Sequence, residues 1–108
     1  MIAVRITMNV LPDKQLEVMQ TLLSMIGSFE KETGCLSNAA FCDIQDRNCF
    51  CLVETWKTRE DLDRHITSHR FGVLLGTQAL LCEPMEIQIH TVSKSEGMET
   101  VHATRGKK

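Results

Sequence analysis

Apolar and polar positions alternate with period two over residues 2–10. Ile2, Val4, Ile6, Met8 and Val10 fall on one side, Ala3, Arg5, Thr7 and Asn9 on the other. This predicts a strand with one wholly apolar face and one semi-polar face. After Pro12, a residue suited to a helical first turn, the period lengthens. Leu16, Met19, Leu22, Leu23, Ile26 and Phe29 recur at helical spacing, and Gly34 suits the helix stop. Residues 36–44 and 49–57 read as two more strands around a polar turn at 45–48. In the second, Phe50, Leu52, Glu54 and Trp56 alternate with Cys49, Cys51, Val53 and Thr55. Thr58 with Asp61 has the spacing of a capping box. It opens a helix over about 59–69 whose Leu62, His65, Ile66 and His69 share one face. Residues 71–81 predict a further helix, weakened by Gly72 and Gly76 and stopped by Pro84. Residues 85–92 alternate again, with Met85, Ile87 and Ile89 on one side.

The order β-α-β-β-α-β predicts a ferredoxin-like α+β domain over residues 1–92, with a four-stranded antiparallel sheet. Its two crossovers put the helices on one face and leave the other bare. Both faces of strands one and three carry apolar groups, in strand three Phe50, Leu52 and Trp56 against Cys49, Cys51 and Val53, so a single copy would expose an apolar patch that a second copy, packed sheet to sheet as a two-fold homodimer, is expected to cover. Residues 93–108 turn polar and basic and read as a frayed extension, with Met98, Val101 and Ala103 available to anchor it.

Composition narrows the functional classes. The chain has 108 residues, 43% hydrophobic and 24% charged, with a formal net charge of −2. That is ordinary globular composition without the basic face that nucleic acid demands. No apolar run is long enough to span a bilayer, and the first residues do not read as a signal peptide, so the expected setting is the cytoplasm. The five cysteines then read as small buried hydrophobes, with a Cys42–Cys49 disulfide as the alternative. No CxxC pair suggests zinc.

Candidate chemistry gathers at the junction of strand three and the following helix. His65 has the ordinary pKa range of a general base; equally, it suits a packing histidine bonded to Glu54 or to backbone. Glu54, a carboxylate in an apolar strand, calls for a partner: Arg5, His65 or an arginine of a second copy. Trp56 suits either core or pocket wall. His65-x-x-x-His69 presents two nitrogens, but no third metal ligand accompanies them; His69 also reads as a half-exposed residue at a helix end. Arg5 and Asn9 can donate to a substrate oxygen or line a dimer interface. His90 and His102 read as surface residues.

Four stretches taken together resemble one family. They are the opening strand with Pro12 and the first helix, Glu32-Thr33-Gly34-Cys35-Leu36, Leu52-Val53-Glu54-Thr55-Trp56, and Leu62-x-x-His65-x-x-Ser68-x-x-Phe71. In this order, over about residues 1–92, the chain resembles the antibiotic biosynthesis monooxygenase (ABM) domain family of dimeric α+β barrels. The resemblance implies a pocket between helices and sheet in each subunit. Members include cofactor-free oxygenases of phenols and quinols, haem-degrading oxygenases and an isomerase. The pocket tyrosine of the polyketide-oxidising members has no counterpart, since the chain contains no Tyr. The positions that match the haem-degrading Asn, Trp and His hold Thr7, His65 and Leu75.

The expected function is therefore cofactor-independent oxygenation of a small phenolic or quinol-type substrate, with no metal. His65 and Asn9 are the catalytic candidates. Arg5, Glu54, Trp56, His69 and Phe71 are the substrate-binding candidates, with Phe29 as a further apolar wall. Two other readings stay open: a non-catalytic small-molecule-binding dimer, and an isomerase of a small carbonyl compound.

Overall fold

The structure, a computed structural model, describes residues 1–107. Its strands are β1 (Ile2–Asn9), β2 (Cys35–Asp43), β3 (Asp46–Trp56) and β4 (Glu86–Thr91). Its helices are α1 (Gln15–Glu30), α2 (Arg59–Ile66), α3 (His69–Gly76) and α4 (Met98–Gly106). The sheet is antiparallel throughout, in the order β2-β3-β1-β4. This is the ferredoxin-like arrangement, with α1, α2 and α3 on one face.

Register decides which side chains meet. β1 pairs with β3 so that Ile2 lies opposite Trp56, Val4 opposite Glu54, Ile6 opposite Leu52 and Met8 opposite Phe50. Opposed residues point to the same side of a sheet. All eight therefore face the helices, and all are buried. Arg5 lies opposite Val53 and Asn9 opposite Cys49, so both point to the uncovered face. That face is mixed rather than oily. Phe41 and Val53 are exposed there, but Arg5, Thr7, Thr55, Glu86, Gln88 and His90 surround them. The five thiols are free and none is buried, contrary to expectation. Parity turns Cys49 and Cys51 onto the uncovered face rather than into the core.

The helical stripe of α1 divides in two. Val18, Leu22, Met25 and Phe29 form the buried row against the sheet. Leu16, Met19 and Leu23, one step round the helix, stay exposed. The turn after α1 needs Gly34, whose φ is +82°. A Cβ there would also run into the Asp61 carboxylate. Asp61 cannot easily yield, because its N–H donates to Thr58 Oγ1 at 3.1 Å and its carboxylate holds Arg64 Nη1 at 3.1 Å.

The predicted helix over 59–69 ends early. Thr67 turns its hydroxyl back onto Asp63 and Arg64 carbonyls, and Ser68 caps a new helix by accepting from the Phe71 N–H at 3.2 Å. His69 consequently opens α3 instead of closing α2. It is exposed, at the helix end whose dipole disfavours a cation. The second surprise is α4. Residues 98–106 are helical, not frayed, yet none of them is buried. Among the described residues, no helix is long and apolar enough to cross a membrane.

Candidate functional site

Strand parity puts Glu54 and Trp56 on the helix face of β3, and α2 lowers His65 onto them from above. The His65 ring is 1% exposed. Trp56 lies beside it with ring centroids 4.5 Å apart, and Phe29 and Phe71 meet it edge-on at 4.6 and 5.1 Å. Glu54 is wholly buried and well supplied with donors. Trp56 Nε1 donates to its Oε1 at 3.1 Å, and Asn38 Nδ2 donates to its Oε2 at 3.1 Å. On the other side of the ring, His65 Nδ1 lies 2.9 Å from Glu32 Oε2. His65 Nε2 sits 3.4 Å from Glu54 Oε2, close enough for an ion pair but not aligned as a hydrogen bond.

The imidazole is thus held between two carboxylates. Burial opposes its charge, but the close Glu54 carboxylate, then the charge and hydrogen bond of Glu32, outweigh that and raise its pKa above the ordinary 6.5. The folded chain therefore binds this proton more tightly than the unfolded chain does. The stabilisation is complete below 6.5 and is lost as pH rises through the folded value. Urea unfolding across that window should show stability falling with rising pH, and His65→Gln should remove that part of the slope. Trp56, the single tryptophan, gives a local readout, since imidazolium quenches indole emission. Its fluorescence should rise with a midpoint above 6.5; a midpoint at or below that value would contradict the geometry.

Of the sequence candidates, the structure brings His65, Glu54, Trp56 and Phe71 together, with Phe29. It separates the rest. Arg5 and Asn9 lie on the other face of the sheet, where Asn9 Nδ2 donates to Glu83 at 3.4 Å. His69 is outside the cluster. The expected convergence of His65 with Asn9 or Arg5 on one substrate therefore does not form. The alternation of β1 carried that signal, because Arg5 and Asn9 have opposite parity to its apolar row. Glu32 and Asn38 were missed as partners. Glu32 belongs to the Glu-Thr-Gly stretch, but only the chain reversal at Gly34 reveals that it returns to His65.

The expected hollow beneath α2 is filled by these aromatic rings. What opens toward solvent near His65 is a shallow polar cleft on the Glu32 side, flanked by Lys31, Arg64 and Arg70. His65 and Glu32 border that cleft, whose volume is about 260 Å³. A larger groove lies elsewhere between helices and sheet. It has a volume of about 560 Å³, with Leu16, Met19, Leu22 and Leu23 of α1 on one wall and Ala40 and Phe50 on the other. Its polar contacts are Gln15, which bonds Asn48, and Arg47. No carboxylate or histidine lines it.

A sequence profile for antibiotic biosynthesis monooxygenases matches residues 1–73. An uncharacterized protein of Synechocystis sp. is 29% identical over 89 residues, 82% of this chain; the chain spans 60% of that relative's length. A conserved protein from Methanosarcina mazei Go1 superposes with a TM-score of 0.78 at 29% identity, covering 82% of this chain and 89% of that one. The crystal structure of an antibiotic biosynthesis monooxygenase superposes at 0.80 with 21% identity, covering 87% and 100% of the two chains, a likeness of fold.

Proposed function

The chain belongs to the antibiotic biosynthesis monooxygenase family, and from that premise we propose that it oxygenates a small phenolic or quinol-type substrate bound in the groove between α1 and the β2–β3 sheet. The observation that carries this reading is the groove itself. Its roughly 560 Å³ falls in the range typical of small-molecule sites, and its apolar walls with a few polar contacts have the usual character of one.

The chemistry asks little of the protein. Once ionised, an electron-rich ring can reduce oxygen directly. One oxygen atom enters a ring carbon as a quinone carbonyl, the other leaves as water, and the ring supplies the four electrons while losing one C–H and one O–H hydrogen. Arg47 is suited to hold the phenolate and favour its ionisation. The apolar walls exclude water from the reacting face. The phenolic proton leaves through the open mouth. In this reading the Glu32–His65–Glu54 cluster positions α2 over the sheet, and Arg5 and Asn9 lie at the face through which two copies would pair.

Oxygen uptake with dihydroxynaphthalenes tests the proposal. Leu23→Trp, which fills the groove from an exposed position, should abolish uptake, and Arg47→Ala should lower it most at acidic and neutral pH. His65→Gln should retain uptake in whatever fraction stays folded. No uptake by the wild-type protein overturns the oxygenase reading. Binding of the naphthol without uptake would favour a binding protein instead, and the absence of histidine and carboxylate from the groove is the observation on that side. Turnover without oxygen would indicate an isomerase.

A further inference from the structure

We infer that the groove between α1 and the β2–β3 sheet takes an amphipathic substrate: a single dihydroxybenzene ring at its hairpin end, with a linear alkyl arm that runs along α1 toward Leu23. The inference rests on the reading of that groove as the substrate site, and it names the kind of phenol that fills it. The polar groups of the groove stand at one end. Gln15 opens α1 beside the β2–β3 hairpin, where its side-chain amide donates to Asn48 Oδ1. Arg47 belongs to the same hairpin, and among the described residues it pairs with no carboxylate. Two hydroxyls on one ring match these groups. The guanidinium donates to the ionised oxygen, and Gln15 Oε1 accepts from the other O–H.

Beyond that end the walls change character. Leu16, Met19 and Leu23 follow one another at helical spacing along the rim, 59%, 43% and 65% exposed, with Leu22, Ala40 and Phe50 on the walls below. These side chains offer no hydrogen-bond donor. A fused ring system with hydroxyls along its length would set some of its oxygens against this wall without partners, at a cost. A methylene arm has no polar group to satisfy and gains with each carbon buried.

The strip also has the length of an arm. Leu16 to Leu23 spans about 10 Å at the rise of an α-helix. An extended chain advances about 3.5 Å for three bonds, so an arm of about eight carbons lines it. Cys42 supplies a reporter near the head. Its thiol points to the helix side, opposite Phe50, lines the groove and is free and exposed, so an occupant should shield it.

A series of 5-alkylresorcinols tests the inference, bound to the full chain without oxygen and below their aggregation concentrations. The association constant should rise about two- to fourfold per methylene, then level off once the arm passes Leu23. Leu23→Asp should flatten this dependence on arm length. With ligand at about ten times its dissociation constant, iodoacetamide should label Cys42 about tenfold more slowly, while Cys82, exposed outside the groove, reacts as before. Affinity indifferent to arm length overturns the inference. Tighter binding of a dihydroxynaphthalene, tighter binding of an alkyl carboxylate with the same arm, or an unshielded Cys42 does so equally. Shielding that grows with protein concentration in the absence of ligand also overturns it, since a second copy would then occupy the groove. Arm-dependent binding that shields Cys42 supports the inference even without oxygen uptake, and in that case the oxygenase reading fails alone. Uptake with dihydroxynaphthalenes but no gain from an arm upholds the oxygenase reading and overturns this one.

Discussion

His65→Ala should lower the unfolding free energy by about 3–5 kcal/mol, the usual cost of stranding a buried charge. The substitution removes a ring enclosed by Phe29, Trp56 and Phe71 and leaves a hole among them. It also leaves the wholly buried Glu54 carboxylate facing Glu32 with no cation between them. Both effects act in one direction, and the second makes a distinct prediction. Glu54→Gln keeps the shape of that side chain while discarding its charge. Added to His65→Ala, it should recover part of the lost stability, since the stranded charge is gone. Urea denaturation of the two single variants and the double variant measures this coupling. Strictly additive losses would mean that the carboxylate and the imidazole do not share an interaction.

Trp56→Ala should cost a similar amount, about 3–5 kcal/mol, because it empties the largest buried side chain of the core. Trp56→Phe separates packing from hydrogen bonding. Phenylalanine keeps much of the apolar volume beside His65 but cannot donate to Glu54 Oε1 as the indole does at 3.1 Å. Its expected cost is about 1–3 kcal/mol, the price of leaving a buried acceptor short of a donor. If Trp56→Phe unfolds at the same urea concentration as wild type, the indole bond contributes nothing and Asn38 alone satisfies the carboxylate.

The two variants also bear on the functional reading, because neither residue lines the groove between α1 and the sheet. Where the variants remain folded, a ligand held in the groove should bind as it does to wild type. A loss of binding that exceeds the loss of folded protein would move the site to the histidine cluster and revive His65 as the base.

Much of this was legible in the chain, for reasons that differ between elements. Strand β1 was clear because one row is wholly apolar, and a period of two admits few other readings. The start of α2 was clear because Thr58 and Asp61 act within a single turn. The break at Thr67–Ser68 was less so. Leu62, His65, Ile66 and His69 keep helical spacing through it, and only the side-chain bonds of Thr67 and Ser68 to nearby backbone end α2 there. The stripe on α1 was wider than one core needs. Its surplus, Leu16, Met19 and Leu23, marked the groove, but spacing alone could not say which residues would be covered.

What the sequence determined by itself was local: the order of strands and helices, their caps and turns, and the presence of a carboxylate, an indole and an imidazole near one strand-to-helix junction. These follow from side-chain spacing within a few residues. Tertiary structure decided which of those groups meet. The β1–β3 register turned Arg5 and Asn9 away from Glu54, the Gly34 reversal carried Glu32 back to His65, and aromatic packing closed the space where a pocket was expected. Contacts between residues far apart in the chain depend on register and on the volume left between layers, and neither is written in any single stretch.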